Sequence, residues 1–343
     1  MNANPTFAIR RGTNISHWLS QSRARGAERR DFFTEEDVRR IAGWGFDHIR
    51  IPIDEEQMWD QEGEREPEAF ELLQRALDWS ESAGLRVIVD LHILRSHHFL
   101  NKEPALYSDP DEERRLAHLW EDLSDALAGR ASNRVAVELL NEAVARDHED
   151  WNRVAHTAYQ AVRRAEPERF IVLGSNRWNQ CATFDALRVP DDPRTILTFH
   201  FYHPGVVTHY TASWVGKLAD YSGPVDYPGE LVPEEVFERQ PAELKTALDG
   251  GNRHYDIDAM RREIAQPLAA RERTGLPLYC GEFGAYHKCP DPVRLRWYRD
   301  ILTVFREHGI AWSNWDYKGG FGIVDRGTGR PTAILDLLTG AAS

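Results

Sequence analysis

The chain has few cysteines and no long apolar run. Its 343 residues include only Cys181, Cys280 and Cys289, an odd and sparse set that is unlike a disulfide framework. Cys280 lies in an apolar segment, so we expect it to be a small buried hydrophobic residue. No segment has the length and apolar character of a membrane span, and no membrane association is therefore expected.

Clusters of positive charge are also missing. The chain has 42 Lys and Arg residues against 55 Asp and Glu residues, a formal net charge of −13, and no basic run. This balance argues against nucleic acid or an anionic membrane as a partner. The first sixteen residues contain no apolar segment of signal-peptide length, so we expect a cytoplasmic protein as given, or a secreted one if a leader has been removed.

What the sequence does contain is a regular alternation of apolar and amphipathic segments. Near-continuous apolar segments, typical of strands buried on both faces of a parallel sheet, begin near Phe7, Phe46, Leu85, Arg134, Arg169, Ile196, Pro277 and Ile310. Amphipathic segments fill the gaps; the first has Thr34 as its candidate N-cap. Eight strands, each followed by a helix, predict a single α/β domain over residues 1–343, a (β/α)₈ TIM barrel.

One connection is much longer than the others. From Ile196 to Pro277 the sequence numbers advance by 81, and the excess lies at about residues 205–255. We interpret this segment as a small insertion after strand six, with a helix in "VPEEVFERQPAELKTALDG". We expect Tyr210 and Trp214 to line the cleft, because loops that follow strands lie on the catalytic face; packing within the insertion is the alternative.

Polar or aromatic residues occur where each predicted strand ends. They are Asn14, His17, Trp18, Arg50, Asp90, His92, Asn141, Glu142, Asn176, Trp178, His200, Tyr202, His203, Glu282 and Trp315. The carboxyl ends of barrel strands meet at one face, so these side chains should surround one cleft. Two of them, Glu142 on strand four and Glu282 on strand seven, form a carboxylate pair, the minimal machinery for cleaving a glycosidic bond.

Residue type assigns a role to each carboxylate. Glu282 is the candidate nucleophile, which must be ionised and therefore needs a cation and a hydroxyl donor such as Arg50 and Tyr202. Glu142 is the candidate acid/base, with a pKa raised by burial and by the charge of Glu282. Asn141 directly precedes Glu142 and is placed to hold the sugar 2-hydroxyl.

The remaining candidates support these roles. We expect His92 and His200 to position the carboxylates and the substrate by hydrogen bonds. Trp315 offers a flat face for a sugar ring, and Trp178 and Trp214 are further candidate platforms. The tryptophans expected in the core or in helix packing are Trp18, Trp44, Trp120, Trp151 and Trp297.

Arg50 has an alternative interpretation, because an arginine inside an apolar strand often serves only in a structural ion pair. Asp54 and Asp90 are its candidate partners in that case.

Histidines in "LHILRSHH" raise the alternative of a metal site, since His92, His97 and His98 lie close together there and His200 follows in strand six. However, the first strand has no His-x-His pair and the sequence has no HExxH motif. We therefore expect neither a metal nor a cofactor. His97 and His98 are interpreted as loop residues near the substrate groove.

Six segments, "HIRIP", "VIVDLH", "LLNEA", "FHFYHP", "YCGEFG" and "WDYK", resemble the cellulase-type glycoside hydrolases of family 5 in clan A. The resemblance covers almost the whole chain and is greatest to the bacterial endoglucanase C type, which also has a helical insertion after strand six. It implies an acid/base at Glu142 and a nucleophile at Glu282. The supporting family residues fall on Arg50, His92, Asn141, His200, Tyr202 and Trp315. Ala143 departs from the Pro that many members have.

The resemblance also implies a reaction and a substrate. The reaction is a retaining double displacement, with the carboxyl groups about 5 to 5.5 Å apart. The substrate is a β-1,4-glucan or mixed β-1,3/1,4-glucan attacked internally by a monomeric enzyme. A β-mannanase, an exo-β-1,3-glucanase and a β-glucosidase of the same fold are the alternatives. A metal-dependent barrel hydrolase and a non-catalytic glycan-binding barrel are alternatives of another class.

Overall fold

Eight parallel strands close into one barrel in the computed structural model, which describes residues 6–249 and 254–340. In chain order they are β1 (Arg11–Asn14), β2 (His48–Asp54), β3 (Arg86–Ile93), β4 (Val135–Glu138), β5 (Phe170–Gly174), β6 (Thr195–Phe201), β7 (Leu278–Phe283) and β8 (Ala311–Asn314). Each strand pairs with the next along the chain, and β8 closes on β1. The predicted (β/α)₈ barrel is confirmed, although the outermost residues of the predicted domain, 1–5 and 341–343, lie outside the described range.

Helices surround this barrel. Outside the insertion they are Ala27–Phe32, Glu35–Gly43, Glu55–Met58, Pro67–Ser82, Pro110–Leu127, His148–Ala165, Ile257–Glu263, Ala265–Thr274, Asp291–His308 and Ile334–Thr339. Thr34 is the N-cap of Glu35–Gly43, as predicted, and forms a capping box with Asp37. Apolar side chains of the helices and strands make one extensive core, in which Trp18, Trp120, Trp151 and Trp297 are buried as predicted.

Outside the insertion, two segments differ from the prediction of one helix after each strand. No long helix follows β5; a short turn at Asn176–Asn179 and a 3₁₀ segment at Cys181–Ala186 take its place. Arg177 and Trp178 have positive φ angles, which a continuing helix does not allow. The amphipathic segment "DIDAMRREIAQPLAARERTG" forms two helices that meet at Ile264, because Pro267 cannot donate a backbone hydrogen bond within a continuous helix.

The segment after β6 contains several short elements. Its helices are Gly205–Thr208, Glu234–Phe237 and Ala242–Asp249, with a 3₁₀ turn at Gly216–Asp220 and a two-stranded ribbon of Gly229–Glu230 and His254–Tyr255. The single helix predicted in this segment is therefore two short helices, and part of the predicted insertion, residues 250–253, lies outside the described residues. Its buried side chains, including Tyr221 and Tyr227, join the core of the barrel.

The three cysteines are free and buried, and Cys280 lies within β7, as expected of a small buried hydrophobic residue. Within the described part of the chain, no helix is both long enough and apolar enough to span a bilayer.

Candidate active site

A cavity of about 770 Å³ lies at the carboxyl end of the barrel. The predicted residues that line it are His17, His92, His98, Asn141, Glu142, Trp178, His200, Tyr202, His203, Trp214, Glu282 and Trp315. Further lining residues were not predicted, among them Gln21, Phe99, His209, Tyr286 and Phe321. The predicted residues that are buried and do not line it are Asn14, Trp18, Arg50, Asp90, His97 and Asn176.

Two carboxylates meet at the floor of this cavity. One oxygen of Glu142, one oxygen of Glu282 and a ring nitrogen of His200 all lie within 4.8 Å of one another. An upper bound of 4.8 Å between these oxygens agrees with the close carboxyl groups of a retaining glycosidase, about 5 to 5.5 Å apart, rather than with the roughly 6.5 to 9.5 Å of an inverting one. A register shift between β6 and β7 pairs His200 with Glu282, so these two residues lie side by side on neighbouring strands.

Glu282 lies within β7 and both of its oxygens have partners. Arg50 Nη1 donates to Oε1 at 2.8 Å, and the Tyr202 hydroxyl donates to Oε2 at 3.0 Å. Burial raises the pKa of Glu282, while the charge of Arg50 and the Tyr202 hydrogen bond oppose that rise. The predicted cation and hydroxyl donor are therefore both in place.

Glu142 does not lie in a strand, because β4 ends at Glu138. It sits four residues later with a φ of 44°, and Nδ1 of His200 contacts its Oε1 at 2.9 Å. Burial, and next the charge of Glu282, raise the pKa of Glu142 well above its ordinary value. Burial also lowers the pKa of His200 well below its ordinary value, so this imidazole is neutral at pH 7. Of the two carboxyl groups, Glu142 therefore holds its proton the more strongly.

His97 holds the loop that carries Glu142, and it lies near the catalytic cavity but is buried and does not line it. Its Nε2 lies 3.1 Å from the carbonyl oxygen of Asn141, and its Nδ1 lies 3.1 Å from the hydroxyl of Tyr107. The Val144 amide donates to that same hydroxyl at 3.0 Å. The two rings thus fix the backbone on both sides of Glu142. His97 is buried because it follows a tight turn that directs it inwards, whereas His98 lines the cavity.

Arg50 is both a neighbour of Glu282 and the centre of a buried ion cluster. It makes two hydrogen bonds to Glu138, at 2.7 and 3.0 Å, and lies 3.0 Å from Asp90. Of the two structural partners considered for it, Asp90 is correct. Asp54 instead accepts a hydrogen bond from a backbone amide.

The sequence analysis missed Glu138, although a lone charge within the apolar segment "VAVELL" was its visible signal. Burial raises the pKa values of Asp90 and Glu138 to about 7, against the effect of Arg50. Asn14 and Asn141 accept the remaining hydrogen bonds of Arg50, both at 2.9 Å. One guanidinium thus orients both the side-chain amide of Asn141 and the Glu282 carboxylate.

His92 positions an aromatic ring. Its Nδ1 lies 2.7 Å from Asp90, its Nε2 lies 3.0 Å from the amide of Gln21, and its ring stacks on Trp315 with centroids 5.6 Å apart and planes at 6°. Burial lowers the pKa of His92 to about 3, so the ring is neutral. Trp315 directly follows β8 and lines the cavity.

Two half-exposed indoles flank the cavity. Trp178 is 39% exposed and donates from Nε1 to the Phe99 carbonyl at 2.7 Å, while Trp214 is 41% exposed and packs edge-on against Tyr286. Tyr210 does not line the cavity; its hydroxyl donates to two backbone carbonyl groups of the insertion. Of the two insertion residues expected to line the cleft, Trp214 therefore does so, whereas Tyr210 packs within the insertion.

Glu142, His200 and Glu282 also have the donor types of a metal site. However, both oxygens of Glu282 already accept hydrogen bonds from Arg50 and Tyr202, and His200 Nδ1 is engaged with Glu142. A cation bound by all three would have to displace these contacts and lie close to the Arg50 guanidinium. The arrangement therefore favours chemistry by the carboxylates themselves.

Known proteins have the same architecture. Endoglucanase C of Acetivibrio thermocellus is 29% identical over 315 residues, which cover 91% of this chain and 92% of that protein. Cellodextrinase A of Ruminococcus flavefaciens is 28% identical over 306 residues, 88% of this chain and 84% of that protein. Among solved structures, endoglucanase Cel5A of Thermotoga maritima superposes with a TM-score of 0.75 at 23% identity, over 96% of each chain, and shares the fold. Residues 11–320 match the family of cellulases named glycosyl hydrolase family 5, and the chain belongs to that family.

Proposed function

We propose that this protein is a retaining endo-β-glucanase that hydrolyses β-1,4-glucan or mixed β-1,3/1,4-glucan. The observation that carries the proposal is the carboxylate pair, in which Glu142 and Glu282 have oxygens within 4.8 Å and different surroundings. The membership of the family and the names of the relatives, an endoglucanase and a cellodextrinase, support a glucan as the substrate.

In the first step, Glu282 attacks the anomeric carbon and forms a glycosyl ester, while the glycosidic C–O bond breaks. Glu142 gives its proton to the departing oxygen of the glucan. Arg50 and Tyr202 orient the Glu282 carboxylate for this attack, because each holds one of its oxygens. The ordering of the pKa values, with Glu142 raised the more strongly, gives each carboxyl group the protonation state that its role requires.

In the second step, Glu142 takes a proton from water, whose oxygen attacks the anomeric carbon and releases Glu282 as a carboxylate. The charge of Glu282 is one cause of the raised pKa of Glu142. Ester formation removes that charge, so the pKa of Glu142 falls when the residue must act as a base. Each carboxyl group returns to its starting state after one turnover.

The supporting residues have proposed roles of two kinds. Trp178, Trp214 and Trp315 line the cavity and give sugar rings apolar surfaces to pack against. The side chain of Asn141 lines the cavity and is held by Arg50, so it can bind a sugar hydroxyl in a fixed orientation.

The test compares the wild type with Glu282→Ala and Glu142→Ala on mixed-linkage glucan, carboxymethylcellulose, glucomannan and laminarin. Glu272→Ala is the matched control, because this glutamate is exposed on helix Ala265–Thr274, which leads into the opposite end of the barrel. We expect Glu282→Ala to lower kcat by about 10⁴-fold or more, and Glu142→Ala by about 10²- to 10⁴-fold. Circular dichroism should show an unchanged fold in each variant.

Two further readouts separate this proposal from its rivals. NMR of the first product should show the β-anomer before mutarotation, since double displacement retains configuration. Activity should survive a chelator, which would abolish the activity of a metal-dependent hydrolase. A near-normal rate in Glu282→Ala would refute the nucleophile assignment, and a preference for glucomannan would redirect the proposal to mannan.

A further inference from the structure

A second cavity, of about 790 Å³, adjoins the catalytic one. The two share His17, Gln21 and Gly320 in their walls, so they are continuous around His17. The loop after β1 and the loop after β8 form most of the second cavity, which we call the side cleft. A glucan chain in the catalytic cavity can therefore extend a unit or a substituent into the side cleft.

The side cleft differs from the catalytic cavity in charge. Its walls contain five Lys and Arg residues and two acidic residues, namely Arg23, Arg25, Arg294, Lys318, Arg326, Glu28 and Asp325. The catalytic cavity has two glutamates and neither Lys nor Arg in its walls. The whole chain has the opposite balance, with a net charge of −13. Positive charge is thus concentrated in this cleft against the average of the molecule.

Two of the five cations are neutralised by nearby carboxylates. Lys318 Nζ lies 2.9 Å from Asp37, and Arg294 Nη1 lies 3.0 Å from Asp291. These two residues shape the wall of the side cleft and contribute little net charge to a ligand.

The other three cations are exposed and not paired with carboxylates. Within residues 6–249 and 254–340, Arg23 and Arg326 have neither a hydrogen bond nor an ion pair, and the guanidinium of Arg326 lies over the ring of Phe32, 5.3 Å from its centroid. Arg25 donates to two backbone carbonyl oxygens. Three guanidinium groups therefore keep their charge available to a ligand, and planar guanidinium forks match the two oxygens of a carboxylate.

The two acidic residues of the side cleft offset part of this charge and leave three available cations against two carboxylates. Oδ1 of Asp325 accepts hydrogen bonds from the amide and the hydroxyl of Thr328, both at 2.7 Å, and these hydrogen bonds lower its pKa, so this carboxylate stays ionised. Glu28 is the single remaining acidic wall residue. Part of the wall is bare backbone at Gly319 and Gly320, where a Cβ would collide with Asp316 and Tyr286, so no side chain fills the cleft there.

We propose that the side cleft binds a carboxylate carried by the glycan, so that the enzyme accepts acidic β-glucans with uronic acid units next to the bond that it cleaves. The inference rests on the proposed glucanase function and specifies its substrate class. Without such a cleft, the net charge of −13 would repel a polyanionic chain. Where the glycan chain leaves the catalytic cavity, the three available arginines attract its carboxylates and so oppose this repulsion.

The test uses one mixed-linkage glucan in two forms, native and with part of its C6 hydroxyls oxidised to carboxylates at matched chain length. We compare the ratio of kcat/KM on the oxidised form to that on the native form. The double variant Arg23→Ala/Arg326→Ala removes two of the available charges. Arg273→Ala is the matched control, since this arginine is exposed on helix Ala265–Thr274 at the opposite end of the barrel.

We expect the double variant to lower the ratio of kcat/KM on the oxidised glucan to that on the native glucan about tenfold, because it loses two exposed ion pairs with the substrate. Arg273→Ala should leave this ratio unchanged. About 0.5 M NaCl should lower the ratio for the wild type towards that of the double variant. A ratio within twofold of the wild type in Arg23→Ala/Arg326→Ala would overturn the proposal.

A binding measurement separates this proposal from the glucanase function. Calorimetry on Glu282→Ala, with oxidised and native oligosaccharides, needs no hydrolysis. Tighter binding of the oxidised form that depends on Arg23 and Arg326 supports the side cleft even if no glucan is cleaved. Equal binding of both forms overturns it even if the native glucan is cleaved well.

Discussion

Neutralising Glu138 should stabilise this protein at alkaline pH, although Glu138 forms a buried ion pair with Arg50. Removal of one partner of a buried pair ordinarily destabilises a protein by about 3 to 5 kcal/mol. Here, however, one guanidinium faces three buried carboxylates, those of Asp90, Glu138 and Glu282. In Glu138→Gln, Arg50 keeps two carboxylate partners and the surplus negative charge falls by one. The uncompensated charge that makes such deletions harmful is therefore absent.

The magnitude follows from the pKa of Glu138, which burial raises from 4.5 to about 7. Below pH 4.5 the carboxyl group is protonated in both the folded and the unfolded state. Between pH 4.5 and 7 the unfolded state releases the proton first, so the free energy of unfolding falls as pH rises. A shift of about 2.5 units corresponds to about 3 kcal/mol, lost fully above pH 7. Glu138→Gln has no such group and should not lose this stability.

Urea unfolding of the wild type and Glu138→Gln at pH 5.0, 6.5 and 8.0 measures this difference. We expect the variant to gain stability relative to the wild type as pH rises, by up to about 3 kcal/mol between pH 5.0 and 8.0. Glu272→Gln, at an exposed position, is the control for a general effect of charge. If Glu138→Gln is several kcal/mol less stable than the wild type at every pH, the ion pair outweighs the surplus charge and the reasoning is wrong.

Two other predictions concern catalysis. The charge of Glu138 is one cause of the raised pKa of Glu142. Glu138→Gln should therefore move the alkaline limb of the pH profile of kcat/KM to lower pH. A limb that stays in place or moves to higher pH would contradict its assignment to Glu142. Trp214→Ala should raise KM for cello-oligosaccharides about fivefold with little change in kcat, because a sugar covering part of the exposed indole is stabilised by about 1 kcal/mol. Trp79→Ala, on helix Pro67–Ser82 away from the cavity, is its control, and equal KM values in both variants would remove Trp214 from the binding site.

The strands of the barrel and the carboxylate pair were predictable from the sequence. Strands buried on both faces must be apolar almost throughout, so β2, β3 and β6 are visible as apolar segments, and a polar residue at their ends stands out. Because parallel strands present their carboxyl ends at one face, Glu142 and Glu282 could be placed in one cleft without coordinates. The resemblance of six segments to family 5 cellulases implies the same role for each carboxylate as the residue-based interpretation.

Helix continuity was less predictable, because it depends on single residues within otherwise suitable patterns. The amphipathic segment that contains Pro267 has helical periodicity on both sides of Ile264, where its two helices meet. The periodicity by itself therefore does not indicate that the helix is interrupted there. After β5, positive φ angles at Arg177 and Trp178 replace the expected helix with a turn that carries Trp178 to the cavity. Neither residue type favours that conformation, so tertiary contacts decided it.

The sequence by itself therefore determined which residues have the chemistry for this site and at which end of the barrel they lie. Only the tertiary structure decided which of them touch. Arg50 meets Glu138 and Glu282 across separations of 88 and 232 residues, and no local pattern encodes those distances. The same holds for His97, which the fold turns inwards to hold the backbone beside Glu142, and for the side cleft, whose arginines come from opposite ends of the chain. Strand character is a local property of side chains, whereas burial and charge pairing arise from packing between distant segments.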